Sequence, residues 1–130
     1  MTEPDADTAF AALHGHKYAR LTTFRKNGEG VASAMWFALE GGQLYIATPA
    51  NTGKVKRLRN DPRALIAPSN ASGVARGAEV GVRAHILPVT EHARARTALK
   101  RKYGFLARFT HLMARLRRTT VTYIRVVSAA

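Results

Sequence analysis

The first half of the chain alternates apolar and polar residues, which is the pattern of half-buried β-strands. Tyr18 to Arg25 is rich in Thr, Leu and Phe and ends at Lys26-Asn27-Gly28, a hairpin signal. From Val31 to Glu40 the odd-numbered residues up to Leu39 share one face and the even-numbered residues share the other. Gly41-Gly42 then turns the chain into a third strand, Gln43 to Thr48. The pattern predicts an antiparallel meander of three strands.

A short helix is predicted directly after this meander, in the stretch from Asn51 to Asn60, with Asn51 or Thr52 as its N-cap. Val55 and Leu58 lie three residues apart, so they share a helical face that can dock on a core. Asp61-Pro62 ends the helix, because the residue before a proline disfavours helical backbone.

The remaining segments add a short helix before the meander and further strands and helices after it. A last strand that is distant from the meander in sequence usually returns to pair with it, which closes a sheet into a barrel. The apolar stripe of the last predicted helix is expected to pack in the core or in a dimer interface. The predicted segments are a helix from Phe10 to Gly15 capped by Thr8, strands from Ala64 to Pro68 and from Ala78 to Leu87 with a loop from Ser69 to Gly77 between them, helices from Thr90 to Tyr103 and from Phe105 to Leu116, and a strand from Thr119 to Ser128.

A length of 130 residues allows one hydrophobic core, so a single domain over residues 1–130 is expected, with residues 1–9 as a flexible tail. The apolar stretches are interrupted well short of the ~20 residues that a membrane helix needs. The acidic N-terminus shows no secretory signal pattern, and the chain has no cysteine for a disulfide or a thiolate site. We therefore expect a cytoplasmic protein without a membrane partner.

Positive charge is the most pronounced feature of the composition. The formal net charge is +13, which makes a field that attracts anionic ligands. One basic cluster runs from Lys54 to Arg63 and is opposed only by Asp61, and a second runs from Arg94 to Arg118 without an acidic residue. Such charge is also found in nucleic-acid-binding modules. No recognition motif and few aromatic residues accompany it here, so nucleic acid is not the expected partner.

Few side chains are placed for acid, base or nucleophilic catalysis. The eight acidic residues are scattered and form no pair suited to a two-carboxylate mechanism. His14-Gly15-His16 offers two metal ligands without a third in sequence, so no metal site is predicted. No serine lies in a nucleophile elbow. If the chain is an enzyme, we expect a bound cofactor to supply the chemistry.

An anion site is predicted at the start of the short helix from Asn51 to Asn60. The segment Asn51-Thr-Gly-Lys-Val-Lys-Arg57 places a small turn before a helix N-terminus and follows it with three cations. Free backbone amides and the helix dipole favour an anion at this position, and the lysines add charge. Lys54 and Arg57 share one helical face, whereas Lys56 lies to the side. The alternative interpretation is a basic helix exposed to solvent.

Several motifs follow one another in an order that is typical of one superfamily. They are the Thr-rich strand that ends in Phe-Arg-Lys-Asn-Gly28, the strand with Trp36-Phe37, the run Gly-Gly-Gln-Leu-Tyr-Ile-Ala-Thr48, and Gly53-Lys-Val-Lys-Arg-Leu-Arg-Asn-Asp-Pro-Arg63. This order resembles the pyridoxamine 5′-phosphate oxidase-like, FMN-binding split-barrel superfamily, and within it the small enzymes that use the deazaflavin coenzyme F-420. The resemblance implies a mainly β fold with helices, a six-stranded antiparallel split β-barrel. It also implies a homodimer that binds cofactor between its subunits.

The resemblance further implies which residues bind the cofactor. Relatives often carry a proline where Ala34 stands in this chain, which makes ring contacts harder to assign than phosphate contacts. No catalytic residue is assigned. The implied cofactor-binding residues are Lys54, Lys56 and Arg57 for the phosphate, Ser33, Met35, Trp36 and Thr48 for the ring system, Thr52, Gly53 and Val55 for backbone contacts, and Arg76 for the ring or the partner subunit's cofactor.

The implied activity is that of an F-420-dependent oxidoreductase, a reductase that transfers hydride from the reduced cofactor to an unsaturated organic acceptor, which is its small-molecule partner. The polyglutamate tail of the deazaflavin suits a chain as basic as this one better than the single phosphate of FMN does. An FMN-dependent oxidoreductase of the same fold is the alternative. A protein that binds the cofactor or nucleic acid without turnover is a third interpretation.

Overall fold

Strands make up most of the regular structure in residues 10–103 and 120–129, the part of the chain that the computed structural model describes. Two of the turns between strands lie at the predicted Gly28 and Gly41-Gly42 positions, where φ is positive. The strands are β1 (Tyr18–Phe24), β2 (Gly30–Trp36), β3 (Ala38–Glu40), β4 (Gln43–Pro49), β5 (Arg63–Ser69), β6 (Val80–Ile86) and β7 (Val121–Ser128). The helices are α1 (Gly53–Asn60) and α2 (His92–Tyr103), with single 3-10 turns at Ala11–Leu13 and Val89–Glu91.

The strands form one antiparallel sheet in the order β2-β1-β5-β6-β7-β4-β3. Its two outermost strands, β2 and β3, are consecutive in the chain and are separated only by Phe37. The sheet therefore curls round into a half-barrel. The last described strand, β7, pairs with both β4 and β6, which confirms the prediction that it returns to the meander.

The predicted number of six strands is wrong, because the described residues contain seven. The expected second strand, Val31 to Glu40, is interrupted at Phe37. The Phe37 amide donates to the Tyr103 hydroxyl at 3.1 Å, and its carbonyl oxygen accepts from that hydroxyl at 3.0 Å. Both backbone groups of Phe37 thus bond to a side chain of α2 instead of a neighbouring strand. The meander is divided accordingly, since β2 pairs with β1 and β3 pairs with β4.

The alternation of side chains continues across this interruption. The inner face of the sheet holds the main core, which includes Leu21, Met35, Phe37 and Ile46, and Leu58 of α1 packs against it. On the outer face of β3, β4 and β7, α2 packs a second apolar cluster that includes Leu99. The predicted assignment of the Val31 to Glu40 residues to two alternating faces is therefore confirmed. The prediction that they form one continuous strand is wrong.

Most of the other predicted elements are present. Helix α1 begins after Thr52, and Val55 and Leu58 are buried as predicted. The helix expected from Phe10 to Gly15 is only a 3-10 turn. The predicted helix from Phe105 to Leu116, the Thr8 cap and the tail lie outside the described residues. No helix in residues 10–103 or 120–129 is long and apolar enough to span a membrane.

Candidate functional site

Helix α1 directs two of its cations to threonine hydroxyls of the sheet. The Lys54 ammonium donates to Oγ1 of Thr48 in β4 at 3.2 Å, and Nε of Arg57 donates to Oγ1 of Thr23 in β1 at 2.6 Å. Thr23 and Thr48 belong to the inner face and are only 1% and 2% exposed. We call these four residues the threonine–cation cluster. It joins the start of α1 to two strands that are not neighbours in the sheet.

The threonine–cation cluster holds positive charge without a carboxylate. Of the ion pairs within residues 10–103 and 120–129, none includes Lys54 or Arg57. Burial lowers the pKa of Lys54, and the nearby charge of Arg57 lowers it further. The pKa of Arg57 is lowered by burial and then by the charge of Arg25. Burial and repulsion thus disfavour the charged forms of both side chains, and an anion bound at the cluster would offset that cost.

The backbone at the start of α1 is also arranged to approach a ligand. Thr52 occupies the N-cap position, but its hydroxyl donates to the Pro49 carbonyl oxygen at 3.1 Å and does not cap the helix. A Cβ atom added at Gly53 would lie only 2.7 Å from Nη1 of Arg57. Glycine therefore leaves space for the guanidinium directly against the first turn, where amide donors and the helix dipole favour an anion.

Four further predicted cofactor-binding residues lie on α1 or on the inner face of β2. Lys56 is exposed on α1, whereas the Val55 side chain is fully buried, so that only its backbone faces a ligand. Ser33 and Met35 share the inner face of β2, and Met35 belongs to the main core. The structure thus brings Lys54, Arg57, Thr48, Thr52 and Gly53 together and places Met35 as a core residue.

Trp36 and Arg76 do not join the threonine–cation cluster. Trp36 lies on the outer face, where its ring stacks on Tyr103 with centroids 4.3 Å apart and contacts Tyr18 edge-on at 6.4 Å. Arg76 is exposed in the loop after β5, which also runs along the outer face, since Gly73 of that loop lies beside Ala34. These two predicted ring contacts are therefore on the opposite side of β2 from Ser33.

Thr23 and Arg25 belong to the candidate site, and the sequence does not predict either of them. Thr23 lies 34 positions before the arginine that it bonds, and no local motif links the two. The one signal in the sequence is alternation, which places Thr23 on the same face of β1 as the apolar Leu21 and so predicts that Thr23 faces the core. Arg25 follows β1 directly and adds positive charge beside Arg57.

Three cavities of about 180, 240 and 290 Å³ lie at other places on the described surface, and their linings do not include a residue of the threonine–cation cluster. The cluster is thus a surface cradle and is not part of these pockets. Within residues 10–103 and 120–129 no three His, Asp or Glu side chains come together as a metal site requires. The chemistry available at the cradle is anion binding by donors and cations.

Comparison with known proteins extends the sequence resemblance. The family model for pyridoxamine 5′-phosphate oxidase matches residues 6–128. No curated protein matches the sequence. Three solved structures share the fold at low sequence identity. The two percentages at the end of each parenthesis give the fraction of this chain, and then the fraction of the other chain, that the alignment covers. The three structures are a conserved hypothetical protein from Mycobacterium tuberculosis (TM-score 0.66, 21% identity, 100% and 82%), a FAD-binding protein from Mesorhizobium loti (TM-score 0.63, 17% identity, 97% and 89%) and the heme storage protein HutZ from Vibrio cholerae (TM-score 0.68, 11% identity, 89% and 84%).

Proposed function

The chain belongs to the pyridoxamine 5′-phosphate oxidase family, and on that premise we propose that it is an oxidoreductase that uses the deazaflavin coenzyme F-420. The observation that carries this proposal is the threonine–cation cluster at the start of α1. Its two cations are fixed by hydroxyl groups and are not neutralised by carboxylates in the described part of the chain. This is the charge arrangement that a phosphate group completes.

The residues of the cradle fit a phosphodiester. The Lys54 ammonium has three protons and donates one to Thr48, so further donors remain for a ligand. Arg57 uses Nε for Thr23, which leaves its two terminal nitrogens for a second contact. Charge-assisted hydrogen bonds of this kind contribute ~1.5–3 kcal/mol each when they are shielded from water.

The chain would contribute binding and orientation, and the reduced deazaflavin, when bound, would supply the hydride for an unsaturated organic acceptor. Lys54 and Arg57 would hold the phosphate, while Thr48 and Thr23 fix the ammonium and the guanidinium in position. Ser33, on the inner face of β2, is the predicted ring contact on the same side of the sheet as these threonines. A second copy of the chain in a homodimer would cover the open cradle and exclude water from it.

The preference for F-420 over FMN rests on charge. FMN brings one phosphate, whereas F-420 carries a phosphodiester and an acidic tail, and the chain has a formal net charge of +13. The described part of the second basic cluster includes Arg94, Arg96 and Lys100, which are exposed on α2. Each exposed ion pair contributes only ~0.2–1 kcal/mol, so several are needed to bind a tail.

The test is a fluorescence titration of the purified protein with oxidised F-420 and, in parallel, with FMN. Saturable binding of F-420 in the micromolar range or tighter, with much weaker binding of FMN, supports the proposal. The reverse order favours the FMN-dependent alternative. Binding of both at only millimolar concentration contradicts a flavin-type oxidoreductase.

Binding without turnover is the second candidate, because the fold is shared with a heme storage protein. Heme therefore belongs in the same series of titrations, followed by its absorption spectrum. Nucleic acid is tested with a labelled duplex at two salt concentrations, since binding that is held by phosphate contacts falls steeply with salt. Tight F-420 binding without reduction of any acceptor would favour a carrier over an enzyme.

A further inference from the structure

A second anion site is suggested by a cavity at the other end of β4 from the threonine–cation cluster. The cavity lies between the 3-10 turn Ala11–Leu13, β3 and α2, and we call it the Phe37 cavity. Leu39 in its lining pairs with Leu44 at the start of β4, whereas the cluster uses Thr48, four residues further along. Four residues of a strand span about 13 Å, so the two places are separate. The inference does not rest on the proposed function.

The lining of the Phe37 cavity combines an apolar floor with a charged rim. Its volume is about 240 Å³, and a neighbouring cavity of about 180 Å³ shares part of its lining. These volumes are below the ~300–1,000 Å³ of pockets for drug-sized ligands, which favours a ligand of about one ring. The floor consists of Leu13, Phe37, Leu39 and Ala98, of which Leu39 alone is more than 3% exposed, and the rim consists of His14, Glu40, Arg101 and Lys102.

Lys102 is the rim residue whose charge is not balanced. Glu40, the only acidic group in the lining, is paired with Arg101. Within the described residues Lys102 takes part in no ion pair, and its ammonium donates to the His16 carbonyl oxygen at 2.8 Å. Although Lys102 as a whole is exposed, this ammonium lies 3.3 Å from the centroid of the Phe37 ring.

The position of this ammonium has an electrostatic consequence. Burial against Phe37 lowers the pKa of Lys102 to about 8. The ring face and one carbonyl oxygen replace part of the water that would otherwise solvate the charge. A carboxylate that entered the cavity would restore a full counter-charge to the ammonium, while the partly exposed Leu39 would contact the rest of the ligand.

We propose that the Phe37 cavity binds a small organic carboxylate with an apolar or aromatic body, with the carboxylate on Lys102 and the body against Leu39. Benzoate is the probe, and its uncharged isostere benzamide is the matched control. Binding is followed by ¹H–¹⁵N NMR of the full chain, which both locates the site and gives the affinity.

The expected result is saturable benzoate shifts at the backbone amides of Phe37, Leu39 and Ala98. Benzamide should bind at least about tenfold more weakly, because a charge-assisted hydrogen bond is lost. Lys102→Met keeps the stem over Phe37 and removes the charge, and it should weaken benzoate binding by a similar factor. Lys100→Met, an exposed neighbour on the same helix, should leave the benzoate affinity unchanged.

Three results would overturn the proposal. They are equal affinity for benzoate and benzamide, no saturable shift at the cavity, and benzoate shifts confined to the first turn of α1. The comparison of the two probes uses the unaltered chain, so it decides the question even if Lys102→Met does not fold. In the same NMR experiment F-420 should shift the amides of the threonine–cation cluster. Absence of benzoate binding at the Phe37 cavity is therefore distinguishable from absence of F-420 binding at the cluster.

Discussion

The Tyr103 hydroxyl bonds the backbone of Phe37 on both sides, accepting from its amide at 3.1 Å and lying 3.0 Å from its carbonyl oxygen. The same hydroxyl lies 2.8 Å from the carbonyl oxygen of Lys17. One side chain of α2 thus joins the end of β2, the start of β3 and the segment before β1. Burial raises the pKa of Tyr103 above its usual range, so the hydroxyl keeps its proton at physiological pH.

Replacing Tyr103 with phenylalanine should destabilise the protein by about 1–3 kcal/mol, because the buried Phe37 amide loses its hydrogen-bond partner. The free energy of unfolding in urea measures this loss. Tyr18→Phe is the matched control. Tyr18 and Tyr103 both contact the ring of Trp36, but the Tyr18 hydroxyl makes no hydrogen bond in the described residues. If the two variants are equally stable, the Tyr103 hydroxyl does not stabilise the break between β2 and β3 at Phe37.

Lys54 and Lys56 should differ in their effect on F-420 binding, although the sequence ranks them equally. Lys54 is bonded to Thr48 in the cradle, whereas Lys56 is exposed. Lys54→Ala should weaken binding by at least about tenfold, the effect of one lost charge-assisted hydrogen bond. Lys56→Ala should weaken it by less than about threefold, the effect of an exposed charge. A larger effect at Lys56 in the titration would move the site to the outer side of α1.

Gly53→Ala should weaken F-420 binding without destabilising the fold. The new Cβ would lie 2.7 Å from Nη1 of Arg57, so this nitrogen must shift away from the first turn of α1, while Nε can keep its bond to Thr23. We expect about threefold to tenfold weaker binding, which corresponds to ~0.7–1.4 kcal/mol. The melting temperature should stay the same or rise, because alanine favours helix more than glycine does.

Gly81→Ala serves as the control for the Gly53 variant, since no atom lies within 4 Å of an added Cβ at that position. Its F-420 affinity should equal that of the unaltered protein. Unchanged affinity in Gly53→Ala as well would show that the position of Arg57 against the helix start does not contribute to binding.

The stability of the protein should rise with pH between about 8 and 9.5 through Lys102. Its pKa in the folded state is about 8, below the ordinary value of 10.5, so the unfolded chain binds more protons in this window. Raising the pH therefore removes the cost of a charged, partly buried ammonium. Urea unfolding at pH 7.5, 8.5 and 9.5 should show this rise for the unaltered chain and a smaller one for Lys102→Met.

Lys100→Met should keep the full pH dependence, because Lys100 is exposed on the same helix. Above pH 10 the raised pKa of Tyr103 acts in the opposite direction, since the unfolded tyrosine then loses its proton first. The comparison is therefore confined to pH 9.5 and below. An identical pH slope in both methionine variants would contradict the assignment to Lys102.

Local patterns in the sequence are sufficient to predict most of the elements and the start of the candidate site. The glycine turns, the burial of Val55 and Leu58 and the return of the last strand follow from spacing, turn chemistry and alternation. Lys54 and Arg57 were found because a helix start followed by cations is itself a local signal. These features depend on residues that are close in the chain.

What the sequence could not show depends on residues that are distant in the chain. The alternation from Val31 to Leu39 is uninterrupted, so nothing local reveals that Tyr103, 66 positions later, bonds the backbone of Phe37 and ends β2. The bond between Arg57 and Thr23 crosses 34 positions. By contrast, alternation alone does place Trp36 and Ser33 on opposite faces of β2, although the resemblance groups both as ring contacts.

Strand β7 lies in the interior of the sheet, between β6 and β4, although it follows every other described strand in the chain. During synthesis, β2-β1-β5-β6 and β4-β3 can each assemble, but their apolar inner faces are not enclosed until β7 pairs with both. Such pairing of distant segments is slow and leaves strand edges open to aggregation in the meantime. Residues 121–128 are therefore the segment whose pairing joins the two groups of strands into one sheet and covers the edges of β4 and β6.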